Sequence, residues 1–364
     1  MTTGPAARED TGTRTPALPH ITAVGTALPP VSYTQRELLD LFRITDPRIR
    51  SVFTNSAIDR RYLDLPPAEP GCPPPAETQG ELRDRHLSTG LDIGADAMRA
   101  CLKQAGAQLS DVRYVCAVTS TGLLTPGFSA LLIGELGLSD RCSRIDVVGM
   151  GCNAGLNALS AVTGWASGHP GELALMVCIE VCSAAYVIDG GMPNAVVNSL
   201  FGDGAAAVAV VAGPGAGNSP AVLDYASSTI PGTADAMRFT WDDRHGKLSF
   251  LLAPDVPYVV GAHVEETVDR LLSAHRLRRA DIAHWVVHSG GKKVIDSLRV
   301  NLGLTRHELR HTTGVLREHG NLSSGSFLFS YQRLLDEGTP RPGDHGVLMT
   351  MGPGAAIETA LLRW

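Results

Sequence analysis

Val147-Val-Gly-Met-Gly-Cys-Asn-Ala-Gly-Leu156 runs from a β-branched pair through two glycines to a cysteine, and then into small helix-compatible side chains. It reads as a strand, a glycine-bounded turn and a helix that starts beside Cys152. A thiol at a helix start meets unpaired amides and a partial positive charge. That position predicts a stabilised thiolate and donors for an acyl oxyanion. The competing account is packing, since free cysteines are commonly buried.

The pattern recurs about 170 residues later. Asp111-Val-Arg-Tyr-Val-Cys-Ala-Val118 matches Asp281-Ile-Ala-His-Trp-Val-Val-His288. Gly151-Cys-Asn-Ala-Gly-Leu-Asn-Ala-Leu159 matches Gly320-Asn-Leu-Ser-Ser-Gly-Ser-Phe-Leu328, and Gly171-Glu-Leu-Ala-Leu-Met-Val-Cys178 matches Gly343-Asp-His-Gly-Val-Leu-Met-Thr350. Three elements repeated in one order predict a duplicated α/β chain with helices on both faces of its strands. The helices starting near Cys152 and Asn321 carry almost no charge and are expected between two sheets.

His288 ends a second-half strand before Ser289-Gly-Gly291, so its imidazole is expected at the carboxyl edge, where α/β proteins bind ligands. A histidine there can equally satisfy itself against backbone. The repeat sets Asn321 opposite Cys152, so Cys152, His288 and Asn321 are expected to meet where the halves join. Such convergence of polar groups is costly unless they are used or paired.

The 364 residues are 44% hydrophobic and 19% charged, enough for a large core, which excludes a disordered or fibrous chain. With 31 Lys+Arg against 37 Asp+Glu, a net charge of −6 and 5% aromatics, nucleic acid is not an expected partner. Seven irregularly spaced cysteines point to free thiols and a cytoplasmic setting. Residues 1–19 read as a loose tail without a secretion signal, followed by halves at 20–219 and 220–364. Apolar runs such as Ala205–Ala212 are too short to cross a membrane.

Asp64-Leu-Pro-Pro-Ala-Glu-Pro-Gly-Cys-Pro-Pro-Pro75 is expected as a loop or flap, because its prolines remove amide donors. Cys178 and Cys182 lack the further ligands of a zinc site. Gly202-Asp-Gly204 lacks the lysine and the spacing of a phosphate loop.

Five motifs stand in a telling order: Gly151-Cys-Asn-Ala-Gly155, Phe201-Gly-Asp-Gly-Ala-Ala206, Trp285-Val-Val-His-Ser-Gly-Gly291, Gly320-Asn-Leu-Ser-Ser324 and Gly352-Pro-Gly354. Together, with offsets of 136 from Cys152 to His288 and 33 from His288 to Asn321, they resemble the type III polyketide synthases of the thiolase fold across nearly the whole chain. The resemblance implies two duplicated halves in α-β-α-β-α layers with the active site between them. Within the family, the Ser289-Gly-Gly-Lys-Lys293 run most resembles the bacterial branch that makes 3,5-dihydroxyphenylacetyl-CoA from malonyl-CoA.

On that resemblance Cys152 would carry the acyl chain as a thioester, while His288 and Asn321 would stabilise the enolate left when malonyl-CoA loses carbon dioxide. Phe201 and Phe250 would be gate aromatics and Ser323 a cavity residue. Thr125 stands where plant members reach across a homodimer, Cys182 and Ala185 lie near family threonines, and Met351 replaces a phenylalanine. Gly352, Pro353 and Gly354 would form the oxyanion loop. Coenzyme A phosphates need cations, for which Arg48, Arg50, Arg60 and Arg61, or Lys292 and Lys293, are candidates; other entrance cations of plant members read as Ser51 and Asn55. No cofactor is implied beyond the coenzyme A thioester substrates. An enoyl-CoA-hydratase-like accessory enzyme is an implied partner.

Three other readings compete. A single-condensation ketoacyl synthase usually carries another asparagine shortly after the histidine, where Ser289-Gly-Gly291 stands here. A non-catalytic acyl-CoA-binding subunit would not need the triad. A papain-like hydrolase would need a local cysteine signature that is missing.

Overall fold

The computed structural model describes residues 17–69, 71–213 and 219–364. Its first half runs β1 (Pro19–Ala27), β2 (Ser32–Thr34), α1 (Gln35–Leu41), α2 (Pro47–Thr54), β3 (Arg60–Tyr62), α3 (Gln79–Ala105), β4 (Val112–Thr119), α4 (Phe128–Leu136), β5 (Ser143–Val148), α5 (Ala154–Gly168), β6 (Leu173–Glu180), α6 (Met192–Leu200) and β7 (Gly204–Ala212). The second runs β8 (Ala221–Thr229), β9 (Met237–Asp242), β10 (Lys247–Leu252), α7 (Val256–Ala274), β11 (Ile282–Val287), α8 (Lys292–Leu302), α9 (Arg310–His319), α10 (Ser326–Glu337), β12 (His345–Gly352) and β13 (Ala356–Arg363).

Continuous apolar sequence decides the central strands: every residue of β6, and all but one of β7, is buried. Strands covered on both faces read in this way, without polar alternation. The sheet order is β11-β12-β13-β8-β1-β7-β6-β4-β5. About the β1/β8 seam the halves mirror one another, β7 answering β13, β6 answering β12 and β4 answering β11. Pairing is antiparallel from β1 to β7 and β7 to β6, then parallel to β4; β8, β13, β12 and β11 repeat these directions.

Two separate sheets were the expectation. The structure joins them into one run of nine strands, because His20 pairs with Ala221 and the Ile21 N–H donates to the Pro220 carbonyl at 3.1 Å. The layers are nonetheless those of a thiolase-like α/β fold. α3 and α4 cover the first-half strands, α7 covers β8 and β13 with α8 packed on it, and α5 and α10 each touch strands of both halves. Gly155 explains how closely the middle layer packs, since a Cβ there would stand 2.4 Å from the Ser324 carbonyl oxygen and 2.7 Å from the Phe327 ring.

Residues 1–16 of the expected tail lie outside the described residues, and Pro19, taken as its end, opens β1. The expected boundary at 219/220 falls between β7 and β8, where residues 214–218 also lie outside the described residues. Among the described residues, 63–78 contain no helix or strand. The segment is pinned at both ends: the Asp64 N–H donates to Asp203 Oδ2 at 2.8 Å, and Glu77 pairs with Arg85 at 2.6 Å. Among the described residues no helix is long and apolar enough to cross a membrane.

Candidate active site

β5 ends at Val148 and α5 begins at Ala154, with a single 3-10 turn over Gly151–Asn153 between them. Cys152 sits in that turn, 8% exposed, at a cavity of about 290 Å3. Gly151 has φ +76°, and a Cβ on it would stand 2.2 Å from Pro353 Cδ. The Cys152 turn therefore packs directly on the Gly352-Pro353-Gly354 loop.

From the second half, Asn321 approaches the same sulfur. Its Oδ1 accepts the Ser323 N–H at 2.8 Å and the Ser326 hydroxyl at 3.4 Å. The carboxamide nitrogen is thus the end left to donate, and the Asn321 side chain is near enough to Cys152 to lower its pKa. Ser323, at φ +47°, brings its Oγ to 3.7 Å from Cys152 Sγ. A non-glycine residue in this backbone region is strained and held only by its surroundings.

The expected thiolate is not what this site favours. Burial pushes the Cys152 thiol up to about 12, and hydrogen bonds from Ser323, Asn321 and the cysteine's own backbone amide offset it only in part, while the Glu180 charge adds to it. A one-turn amide array does not outweigh burial of the sulfur. At rest Cys152 is a neutral thiol.

His288 follows β11 and is 2% exposed. Its N–H donates to the Met349 carbonyl at 2.9 Å, and Ser289 Oγ lies 3.4 Å from the Gly320 carbonyl, which sets the histidine beside Asn321 in the fold. No hydrogen bond joins its ring to Cys152 or Asn321, and Nδ1 is buried without a partner. Burial pushes the imidazole down to about 3, so it is neutral.

Phe201 and Phe250 both line the cavity and meet edge to face, with centroids 5.8 Å apart. Phe201 is tied to the Asn321 segment: the Gly202 N–H donates to the Asn321 carbonyl and the Asn321 N–H to the Leu200 carbonyl, both at 2.9 Å. Cys182, Ala185 and Pro353 complete the expected lining. Thr125 does not line this chain's cavity; it is exposed on the loop after β4. Met351 is also absent from the lining, its side chain being 4% exposed and packed in the core around β12.

The expected cation cluster divides. Arg61 is wholly buried, donating to Tyr186 Oη at 2.7 Å, the Phe201 carbonyl at 2.6 Å and Gln35 Oε1 at 2.9 Å. It anchors the Phe201 backbone and is inaccessible to a phosphate. Arg60 is exposed. Arg48 is exposed beside Asp46, and Arg50 donates to the Ile44 carbonyl at 2.8 Å. Lys292 pairs with Asp296 at 3.5 Å, and Lys293 is exposed. Ser51 and Asn55 are exposed and bonded to each other at 2.8 Å.

Several residues escaped sequence reasoning. Glu180 closes β6, fully enclosed, accepting the Ser120 N–H at 3.0 Å and the Ser324 hydroxyl; burial pushes its carboxyl up to about 7. Ser120 Oγ in turn accepts the Gly151 N–H at 2.9 Å, so this acid braces the Cys152 turn. An acid ending an otherwise apolar strand was the available signal. Arg238 and Phe239 of β9 also line the cavity. Asp203 accepts from Ser183 and from the Asp64 backbone, so Gly202-Asp-Gly204 serves as a structural hub. No group of three or more His, Cys, Asp or Glu side chains gathers for a metal among the described residues.

The N-terminal domain profile of the chalcone and stilbene synthases matches residues 8–214, and the C-terminal domain profile matches residues 223–364. A 3,5-dihydroxyphenylacetyl-CoA synthase of Streptomyces toyocaensis is 60% identical over 100% of this chain and 95% of its own length. One from Amycolatopsis balhimycina is 62% identical over 94% of this chain and 92% of its own. The crystal structure of 1,3,6,8-tetrahydroxynaphthalene synthase from Streptomyces coelicolor A3(2) superposes with a TM-score of 0.86 at 27% identity, covering 95% of this chain and 99% of that one.

Proposed function

The chain belongs to the chalcone and stilbene synthase family, and from that premise we propose that it condenses malonyl-CoA iteratively, with decarboxylation, and cyclises the chain to 3,5-dihydroxyphenylacetyl-CoA. Its full-length likeness to two synthases of that product carries the assignment.

The chemistry follows from the site. Cys152 Sγ attacks the malonyl thioester carbonyl, and coenzyme A leaves as its thiol with the proton from sulfur. The Cys152 thiol is neutral at rest, so this proton departs during attack, and His288 is our candidate to accept it and pass it on. A second malonyl-CoA then loses carbon dioxide. The electron pair of the broken carbon–carbon bond becomes an enolate, whose oxygen takes donors from Asn321 Nδ2 and the neutral His288 ring. The enolate carbon attacks the Cys152 acyl carbonyl, a carbon–carbon bond forms, the carbon–sulfur bond breaks, and the released Cys152 thiolate takes up a proton from water before the next round. The Gly352–Gly354 loop packed on Gly151 is our candidate holder of the acyl oxygen.

Arg48, Arg50, Lys292 and Lys293 are proposed to meet the coenzyme A phosphates outside the cavity. A homodimer is proposed across β5, an edge strand where Ile145 and Val148 are 39% and 38% exposed, flanked by Leu123 and Met150 at 76% and 39%. Seven unpaired cysteines favour a cytoplasmic setting. Dehydration during aromatisation is the step an enoyl-CoA-hydratase-like partner would assist.

Incubation with malonyl-CoA alone, followed by mass spectrometry, tests the reading. A product with the mass of 3,5-dihydroxyphenylacetyl-CoA, or of its free acid, is expected. A requirement for a separate aromatic starter overturns it.

A further inference from the structure

Every residue lining the cavity at Cys152 is uncharged except Arg238. It stands on β9 between Met237 and Phe239, two further lining residues, and pairs across the hairpin with Leu251, the neighbour of Phe250. The hairpin that carries Phe250 therefore also brings an arginine to the cavity wall. The only ion partner of Arg238 among the described residues is Asp235, three positions earlier, with a side chain 87% exposed against 45% for the arginine. So exposed a pair contributes little, and the guanidinium is free to exchange partners.

We propose that Arg238 binds the free carboxylate of a malonyl group held as a thioester on Cys152, and so selects a dicarboxylic half-thioester as the starter. The inference rests on the function proposed above. A carboxylate entering so apolar a cavity loses its hydration and needs a partner, and the planar fork of arginine is matched to it. The pairing stabilises the carboxylate and thereby opposes loss of carbon dioxide. It suits the acyl group waiting on sulfur rather than the incoming unit that must decarboxylate; the starter's own carboxylate leaves as carbon dioxide only after chain extension, as the carbon count of the dihydroxyphenylacetyl product requires. The coenzyme A phosphates lie at the far end of the pantetheine arm from the thioester, whereas Arg238 lines the same cavity as Cys152.

The test compares acylation of Cys152, read by intact-protein mass spectrometry, in the wild type, Arg238→Leu and Arg238→Lys. Malonyl and butyryl groups are each offered on coenzyme A and on N-acetylcysteamine, which carries no phosphate. Arg238→Leu is expected to lose about tenfold or more of the malonyl-over-butyryl preference on both carriers, while Arg238→Lys keeps part of it. An unchanged preference overturns the inference. A loss confined to coenzyme A esters also overturns it, assigning Arg238 to the phosphates. Failure of wild-type Cys152 to acylate with either carrier overturns the polyketide synthase reading and this inference together.

Discussion

The Asn321 carboxamide oxygen accepts the Ser323 N–H at 2.8 Å, and this bond decides which end of the carboxamide is left to donate at Cys152. An aspartate at 321 would retain the acceptor and lose the donor. Asn321→Asp should therefore keep the fold and slow release of carbon dioxide from malonyl-CoA by about a hundredfold to a thousandfold, as loss of an oxyanion donor does. Carboxyl-labelled malonyl-CoA measures it directly. Wild-type decarboxylation in the variant would remove Asn321 from the enolate site.

Cys152 and His288 are shifted in opposite directions by the same cause, the thiol up to about 12 and the imidazole down to about 3, both through burial. Between pH 6 and 9 neither group titrates, so no thiolate–imidazolium pair forms at rest. The thiolate fraction then grows about tenfold for each pH unit. Alkylation of Cys152 by iodoacetamide, followed by peptide mass spectrometry, should rise without a plateau up to pH 9. A plateau reached below pH 7 would show a preformed ion pair.

Glu180 carries a linkage consequence whose sign is opposite to that of a salt-bridged acid. Its carboxyl titrates at about 7 in the fold against 4.5 for a glutamate open to water, because burial disfavours the charge. Between those values the unfolded chain releases the proton while the native state holds it, so stability falls as pH rises from 4.5 to 7 and levels off above. The full difference is of order 3 kcal/mol. Glu180→Gln cannot ionise, so its melting temperature relative to wild type should climb between pH 5 and 8. A constant difference over that range would mean that Glu180 is ionised throughout.

The duplication was legible because its strands are continuous apolar runs and its helices lack charge; β4 with β11, and β6 with β12, lie where the repeat predicts. Cys152 and Asn321 were legible for the same reason, being equivalent turns of the two halves. Arg61 was not. It differs from Arg60 only in strand phase, and β3, three residues long, is too short for alternation to show in sequence. The resting state of Cys152 was misread because a helix start is visible in sequence while the enclosure around a sulfur is built by distant segments. Arg238 was hidden in a two-stranded hairpin whose composition resembles ordinary surface.

Arg61 is the buried cation that holds the Phe201 carbonyl. It and Tyr186 both donate to the Phe201 carbonyl, at 2.6 Å each, and burial lowers the guanidinium pKa without a carboxylate in direct contact. Arg61→Met would leave that carbonyl and Gln35 Oε1 short of donors, costing about 3 kcal/mol. Tyr186→Phe removes one neutral donor and should cost about 1 kcal/mol. Urea denaturation ranks the two variants, and equal losses would contradict the anchoring role of the charge.

In the proposed homodimer, Thr125 would tie one chain's loop to the partner's cavity. It is exposed and stays outside its own chain's lining, on the same loop as Leu123, whose side chain is 76% exposed. The neighbouring edge strand β5 leaves one side unpaired, with Ile145 and Val148 outward. If two copies meet there, their edges are covered and each loop can reach the other's cavity, which explains both an apolar edge and a Thr125 absent from its own site. Val148→Lys sets a charge in that contact and should convert the dimer to monomer in analytical ultracentrifugation, with little effect on the monomer's own core. Thr125→Met should leave the dimer intact and change the product distribution from malonyl-CoA. A monomeric wild type, or a Thr125→Met variant with unaltered products, would separate this loop from the cavity and confine product control to residues of one chain.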